Sequence, residues 1–297
     1  MKKAKENFIL TQRSLFEKIL YSIVFVFFLI YTISIIFPIV WIIMSSFKKN
    51  TEYALDLVYN QPFALPDSFH YENYIKVFSE LQYKGTNFLG MMFNSVLMIV
   101  IQVVPHTLML ALLGFVVARY DFPGRNLLYN VVIFTIVIPI VGGGGSYFKW
   151  ISDIHLYDTP LQFFFSSFFC FSGQFLISYA IFKGISWEYA EAVFLDGGGH
   201  YTAFFAVILP QALGAMFTLI IQQVIVIWND YRNPLLMLPS YPTVASGLYL
   251  ASVSLVRQGG QTLYYAGLMI SMIPIIAIYI AFSDTMLKNL SIGGLKG

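Results

Sequence analysis

The feature that most constrains this chain is a series of long runs without Asp, Glu, Lys or Arg. A helix needs about 20 apolar residues to cross the hydrocarbon core of a bilayer. Seven runs reach that length when histidine is counted as neutral: 19–46, 86–118, 126–148, 159–182, 201–229, 233–256 and 261–283. A composition of 58% hydrophobic and 11% charged residues also indicates that lipid is the main solvent of the chain.

One of the seven runs is interrupted by prolines. Run 233–256 carries Pro234, Pro239 and Pro242, and each proline lacks a backbone donor and clashes with the preceding helical turn. We therefore expect this run to be a loop, either outside the bilayer or sheltered by protein. The remaining six runs predict an all-α, polytopic membrane protein with six transmembrane helices.

Charge distribution predicts the orientation of these helices. An even number of spans places both termini on one side, and Lys and Arg favour the cytoplasmic side. The residues that set this bias are Lys2, Lys3, Lys5, Arg13 and Lys18 before the first span, and Arg119 and Arg125 between the second and third. Four lysines in the interval 47–86 moderate the bias. We expect a cytoplasmic tail at 1–18, a permease domain at 19–283 and a second cytoplasmic tail at 284–297.

Several classes of function are disfavoured by what the sequence contains. A formal net charge of +2, with dispersed basic residues, does not predict nucleic-acid binding. The single cysteine, Cys170, allows no intrachain disulfide, and the four histidines lack metal-site spacing. The glycines at 142–145 are followed by Lys149 and Trp150 rather than by the Lys-Ser or Lys-Thr of a phosphate-binding loop. We expect no bound cofactor, no metal and no catalytic constellation, so the chain is not predicted to be an enzyme.

The loop at 183–210, `KGISWEYAEAVFLDGGGHYTAFFAVILP`, lies between the fourth and fifth predicted spans. Two helix-like stretches flank three glycines at 197–199, which predicts a helix, a sharp turn and a second helix. The first stretch has an apolar face and an acidic complement, namely Ala190, Val193 and Phe194 against Glu188, Glu191 and Asp196. This pattern indicates a short amphipathic element at the cytoplasmic boundary.

This loop resembles the EAA loop of ABC-importer permeases, in which Glu-Ala-Ala is followed by a glycine and an Ile-x-Leu-Pro-like ending. The matching positions are Glu191, Ala192, Val193, Asp196, Gly197, Phe204, Ile208, Leu209 and Pro210. Val193, Gly198 and Gly199 depart from the usual residues, which leaves the tightness of the turn open. Further stretches are similar to the carbohydrate-type permeases, in the same order: `FNSVLMIVIQVV`, `VARYDFPGR`, `LYDTPL`, `WNDYRNPLLML` and `LSIGGLKG`.

The resemblance implies a cytoplasmic coupling helix that inserts into a cleft of a separate ATPase subunit. The residues expected to carry this coupling are Glu188, Ala190, Glu191, Ala192, Leu195, Asp196, Gly197 and Pro210. Ala190 and Ala192 are expected to allow close approach, Glu191 to meet a basic residue, and Gly197 to reverse the chain. The implied partners are a second, distinct permease subunit, two ATP-binding cassette subunits that hold ATP and magnesium, and an extracellular solute-binding protein.

The resemblance also implies import of a carbohydrate, with an oligosaccharide expected, across a bacterial or archaeal plasma membrane. Gln222, Asn229 and Asp230 are candidates to line the path, because polar groups within spans tend to face an interior or a water-filled route. Hydrogen bonds that hold the helices together are an equal alternative. Residues 233–256 are expected either to touch the solute-binding protein or to pack over the outer mouth.

Two other classes of protein compete with this interpretation. An ABC permease for a non-sugar solute would carry the same loop. An ion-coupled secondary carrier would need charged residues within its spans, and the six runs contain none. A membrane-bound enzyme or scaffold is a third alternative, for which the sequence offers no acidic or metal-binding cluster.

Overall fold

The computed structural model describes residues 15–138 and 142–292, without the side chains of Val256 and of 284–292. Most of this part is helical. The elements before the coupling loop are α1 (Leu15–Ser46), α2 (Asn50–Val58), α3 (Glu72–Glu80), β1 (Gln82–Tyr83), β2 (Thr86–Asn87), α4 (Phe88–Arg119), α5 (Arg125–Val137), α6 (Gly144–Asp153), α7 (Leu161–Ser166) and α8 (Gly173–Gly184). They are followed by α9 (Glu188–Leu195), α10 (His200–Thr202), a π-helical turn (Ala203–Ile208), α11 (Leu209–Asn229), α12 (Arg232–Met237), α13 (Val244–Arg257) and α14 (Gln261–Ile292).

Four helices of the described part are long and apolar enough to cross a membrane. They are Leu15–Ser46, Phe88–Arg119, His200–Asn229 and Gln261–Ser283. These agree with the first, second, fifth and sixth predicted spans. Helix α1 begins at Leu15 and α14 continues to Ile292, so both helices extend into the predicted tails. Residues 1–14 and 293–297 of the two predicted tails lie outside the described residues.

The third and fourth predicted spans are each divided. Helix α5 has 13 residues and rises about 20 Å, which is too short for a core of about 30 Å. Residues 139–141, between α5 and α6, lie outside the described part. In the fourth run α7 ends at Ser166, and α8 starts only at Gly173. Ser166 and Ser167 each donate a side-chain hydrogen bond to the backbone three residues earlier, and such bonds compete with a continuing helix.

Run 233–256 contains two helices, so the prediction that it is a loop is wrong. Pro234 lies in the first turn of α12, where its missing N–H has no intrahelical partner. Pro239 and Pro242 lie between α12 and α13, and α13 begins at Val244. The Val244 N–H donates to Ser95 Oγ of α4 at 2.8 Å, which ties the start of α13 to the bundle.

Helix α4 lies at the centre of the bundle and packs against α8 and α11. Gly114 of α4 allows this approach, because a Cβ there would stand 2.3 Å from Ser178 Oγ of α8. Helix α14 contacts α1, α3, α11 and α13. Small residues at such contacts let membrane helices approach closely where no hydrophobic effect drives association.

The end of the bundle opposite the coupling loop carries the shorter elements α2, α3, α12 and α13. A buried ion pair joins Lys48, which is 1% exposed, to Asp56 of α2. Lys48 Nζ also donates to the Ala64 carbonyl oxygen, so its charge has two partners. This end is therefore a folded layer and not a set of loose connections.

Candidate functional site

The coupling loop is closed by a hydrogen-bonded reversal at the end of α9. Gly197 has φ +82°, the left-handed region in which glycine is unstrained. The Gly198 N–H donates to the Val193 carbonyl at 2.8 Å, and the Gly197 N–H donates to that of Phe194 at 3.1 Å. These two bonds form a Schellman motif, which satisfies carbonyls at the helix end. The chain therefore turns at Gly197, the position that the glycines predicted.

The two extra glycines of this turn have different surroundings. A Cβ at Gly198 would lie 2.5 Å from Val193 Cγ1 and 3.0 Å from the Val193 carbonyl oxygen, whereas a Cβ at Gly199 would meet nothing within 4 Å. Gly198 therefore keeps the turn tight by its lack of a side chain. Val193 and Gly198, two of the three departures from the family pattern, are packed against each other.

The outward face of α9 combines acidic and apolar side chains. Glu188, Glu191, Ala192, Leu195 and Asp196 are all exposed, and Leu195 reaches 89% exposure. The outer surface of α9 is therefore mixed, with one apolar side chain among carboxylates.

Ala190 is an exception among the predicted contact residues. Its side chain is 0% exposed, because it faces the inside of the folded loop. Ala190 therefore supports the helix within this chain, and its expected role as a contact for the ATPase does not fit its position.

An aromatic cluster beneath α9 connects the loop to α4. The Trp187 ring lies 5.7 Å from the Tyr120 ring and 6.1 Å from the Phe194 ring, and Phe194 in turn lies 5.0 Å from His200. Tyr120 Oη is hydrogen bonded to His200 Nδ1 at 2.8 Å. Burial raises the pKa of the Tyr120 hydroxyl. Sequence reasoning missed this cluster, because Tyr120 and His200 are 80 residues apart.

Arg119, at the end of α4, links this helix to the end of α8. Its Nε donates to the Phe182 carbonyl and its Nη2 to the Lys183 carbonyl, both at 2.9 Å. These carbonyls belong to the last turn of α8, where a cation is favourable. Arg119 was used above only to predict orientation, and the structure gives it this second, structural role.

The loop continues into α11 through the π-helical turn at Ala203–Ile208. Pro210, at the start of α11, has no N–H to donate to the preceding turn. The Leu209 N–H instead donates to the Phe204 carbonyl, five residues earlier. A wider turn accommodates the proline while the helix remains continuous from His200 to Asn229. The turn after α9 therefore leads directly into a helix long enough to cross a membrane.

A second feature is an open cavity at the surface of the bundle, with a volume of about 520 Å³. Its lining residues come from α4, from the irregular segment before α8, from α8 and from α11: His106, Phe169, Ser172, Gly173, Gln174, Ile177, Gln222 and Gln223. Gln222 was predicted to face the path, and it lines this cavity.

Three of the lining side chains are connected by hydrogen bonds. His106 is 8% exposed, and its Nδ1 donates to the Ser167 carbonyl oxygen at 2.9 Å. Its Nε2 lies 2.8 Å from Gln174 Oε1, and Gln174 Nε2 donates to Gln223 Oε1 at 3.3 Å. These hydrogen bonds therefore link α4, α8 and α11 through polar side chains.

Asn229 and Asp230, the other two predicted path residues, do not line this cavity. Asn229 Nδ2 donates to the Ile225 carbonyl of its own helix. Asp230 accepts the backbone N–H groups of Arg232 and Asn233, together with the Asn233 amide. Asp230 therefore organises the start of α12. Among the described residues no group of three or more His, Cys, Asp or Glu is placed to hold a metal.

The similarity to known proteins extends over nearly the whole chain. No family model matches. The diacetylchitobiose uptake system permease of Streptomyces coelicolor is 26% identical, over 90% of this chain and 86% of its own length. The arabinooligosaccharides transport system permease of Halalkalibacterium halodurans is also 26% identical, over 88% of this chain and 91% of its own length. The trehalose transport system permease of Mycobacterium tuberculosis is 26% identical, over 88% of this chain and 92% of its own length.

A solved structure supports the same fold. A crystal structure of a bacterial ABC transporter involved in import of the acidic polysaccharide alginate contains a chain that matches with a TM-score of 0.74. That match covers 92% of this chain and 98% of the other at 19% identity, which shows the fold alone. Together with the relatives, it confirms that this chain resembles carbohydrate-type ABC-importer permeases, polytopic membrane subunits of transport systems.

Proposed function

We propose that this chain is the membrane-spanning permease of a binding-protein-dependent ABC importer that moves a carbohydrate, with an oligosaccharide as the expected substrate. The observation that carries the proposal is the exposed acidic and apolar face of α9, held on a half-buried aromatic base in a chain similar to sugar permeases. A lone exposed leucine needs no explanation. Leu195 between Glu191 and Asp196, at the tip of a tightly closed turn, is well suited to docking.

The coupling step uses the contacts around α9. An ATPase subunit receives Glu188, Glu191, Ala192 and Leu195, and its closure on ATP pushes α9 towards the membrane. The Schellman turn transmits this push to α11, and the Trp187 and Tyr120 rings transmit it to α4. Interiors at native packing density pass on displacement rather than absorb it. ATP and magnesium are bound by the two ATPase chains, and this chain binds no cofactor.

Transport proceeds by alternating access between this chain and a second, distinct permease subunit. The termini and α9 face the cytoplasm, and the solute-binding protein docks on the opposite layer of α2, α3, α12 and α13. The substrate path passes Gln222, whereas Asn229 and Asp230 shape the outer end of α11. Rigid-body movement of one bundle against the other around a central site is the general form of such transport.

The docking proposal is tested by charge substitution on the exposed face. Leu195→Asp should reduce co-purification of the ATPase subunit about 10-fold or more, because a carboxylate would replace the apolar contact in a docked interface. Glu191→Ala should weaken the same association less. Binding is measured with the permease pair in detergent, and transport is measured in proteoliposomes.

The matched control is Leu65→Asp. Leu65 is 71% exposed and lies in the polar interval between α2 and α3, at the opposite end of the bundle. This variant should assemble with the ATPase as the unchanged protein does. Normal assembly and transport by Leu195→Asp would overturn the docking proposal.

A further inference from the structure

The cavity around His106, Gln174, Gln222 and Gln223 has features of a binding site that the coupling mechanism does not require. We infer that it is a subsite for the hydroxyl groups of a neutral saccharide, contributed by this permease subunit itself. The inference rests on the proposed import of a carbohydrate. It adds the place where this chain contacts the sugar and states that the accepted sugar is uncharged.

The size of the cavity suits one or two sugar rings. Pockets for small molecules are typically about 300–1,000 Å³, and this one is about 520 Å³. Phe169 and Ile177 give it an apolar side against which C–H groups of a sugar ring can pack. The remaining lining is polar, so the cavity offers both surfaces that a saccharide presents.

The polar side chains that line the cavity are amides, a hydroxyl and an imidazole, and none is a carboxylate, an amine or a guanidinium among the described residues. They are the amides of Gln174, Gln222 and Gln223, the hydroxyl of Ser172 and the imidazole of His106. Amides offer both donors and acceptors, and hydroxyls of a sugar can use either. An acidic saccharide would bring a carboxylate into this site without a cationic partner from the lining.

Hydrogen-bonding rules fix the direction of the relay. A carbonyl oxygen only accepts, so His106 Nδ1 must carry the proton that it shares with Ser167. In a neutral imidazole Nε2 is then an acceptor, and it pairs with the amide nitrogen of Gln174. A half-turn of the Gln174 and Gln223 amides gives this arrangement and preserves the contacts of the relay. The amide oxygen of Gln223 then remains as an acceptor, to which a sugar hydroxyl can donate.

Ser172 adds an unused group at the start of α8. Its Oγ is buried, and no hydrogen-bond partner is found for it among the described residues. It precedes Gly173 in an extended backbone conformation and makes no cap bond to α8. A buried hydroxyl without a partner is costly, and its residue is one of those that line the cavity.

A purely structural role explains only part of this arrangement. The bond from His106 to Ser167 satisfies a carbonyl exposed by the interruption of the fourth span, as a membrane interior requires. That role needs neither Gln222 nor the unpartnered Ser172 Oγ. A binding role predicts that sugar affinity changes when Gln222 is altered, whereas a purely structural role predicts that it does not.

The test uses the assembled importer, with its partner chains, in proteoliposomes. Uptake is measured for three neutral probes, diacetylchitobiose, arabinotriose and trehalose, and for an alginate trisaccharide as the acidic probe. Gln222→Ala and Gln174→Leu should each raise the KM of the imported neutral probe about 5-fold or more. Gln211→Ala is the matched control, because Gln211 lies on the same helix and its amide donates to the Val207 carbonyl of that helix. It should leave KM unchanged.

Occupancy is measured separately by protection from labelling. In a Cys170→Ser background, Ser172→Cys should react with a methanethiosulfonate reagent more slowly when the imported probe is present. Unchanged KM in both glutamine variants, absence of protection, or preferential import of the alginate probe would overturn the inference. Failure of the proposed function is distinct, because the unchanged chain would then neither bind the ATPase nor import any probe.

Discussion

Single residues in the coupling loop show how a departure from a family pattern can be compensated locally. Val193 replaces a smaller residue, and its Cγ1 occupies the space that a side chain at position 198 would need. Glycine at 198 accommodates the larger valine. Gly197 serves another purpose, because its φ of +82° reverses the chain. The three consecutive glycines thus have three different degrees of constraint.

Gly198→Ala should therefore damage the loop, whereas Gly199→Ala should not. The new Cβ would stand 2.5 Å from the stiff Val193 side chain and 3.0 Å from its carbonyl, and overpacking of this kind costs about 1–3 kcal/mol. We expect sugar-stimulated ATP hydrolysis to fall several-fold in Gly198→Ala, measured on the reconstituted importer. Adding Val193→Ala should restore part of the rate. Equal rates in the two single variants would show that the close contact is unimportant.

At the scale of elements, the sequence predicted the long helices and the loop turn better than the interrupted regions. Uncharged runs identify α1, α4, α11 and α14, because length and apolarity alone decide whether such a helix can cross lipid. Counting charges does not detect the break before α8, where short serine side chains bond to their own backbone. It also misjudged α12, because a proline in the first helical turn costs little.

The candidate site was predictable to a similar extent. The turn at Gly197 and the cavity position of Gln222 follow from local patterns. The buried side of Ala190, the Tyr120–His200 hydrogen bond and the His106–Gln174–Gln223 relay depend on which elements meet in space, and a single sequence does not contain that information. Asn229 and Asp230 were assigned to the path by their polarity alone, although both complete backbone hydrogen bonds at a helix end.

The contact between α4 and α8 can be tested with one methyl group. Gly114→Ala would place a Cβ 2.3 Å from Ser178 Oγ and 3.1 Å from its backbone carbonyl carbon, so the two helices must separate. We expect a loss of about 1–3 kcal/mol, seen as a lower midpoint of thermal unfolding of the detergent-purified subunit. Gly184→Ala, at the end of α8 with nothing within 4 Å of its Cβ, is the control and should unfold at the original temperature or slightly above. If both variants kept the original unfolding midpoint, the close approach of α4 and α8 would not contribute to the stability of the subunit.

At the scale of the whole molecule, the two ends of the bundle differ in kind. At one end, the last turns of α4 and α8 lie under α9. Arg119 joins these two helices, and the aromatic cluster joins α4 to α9. The other end carries α2, with the buried pair of Lys48 and Asp56. Basic residues before the first span and between the second and third favour the cytoplasm for the end with α9.

This orientation predicts which exposed positions an impermeant thiol reagent can reach. In a Cys170→Ser background, Val58→Cys, at an outer position that is 77% exposed, should be labelled in intact cells. Leu195→Cys, at 89% exposure, should be labelled only after the membrane is permeabilised, in cells lacking the ATPase partner that would cover it. Both positions are nearly free of packing, so neither substitution should disturb folding, and the background without cysteine should stay unlabelled. Labelling of Leu195→Cys in intact cells would place α9 outside, where no ATPase could reach it, and the proposed coupling would fail with the orientation.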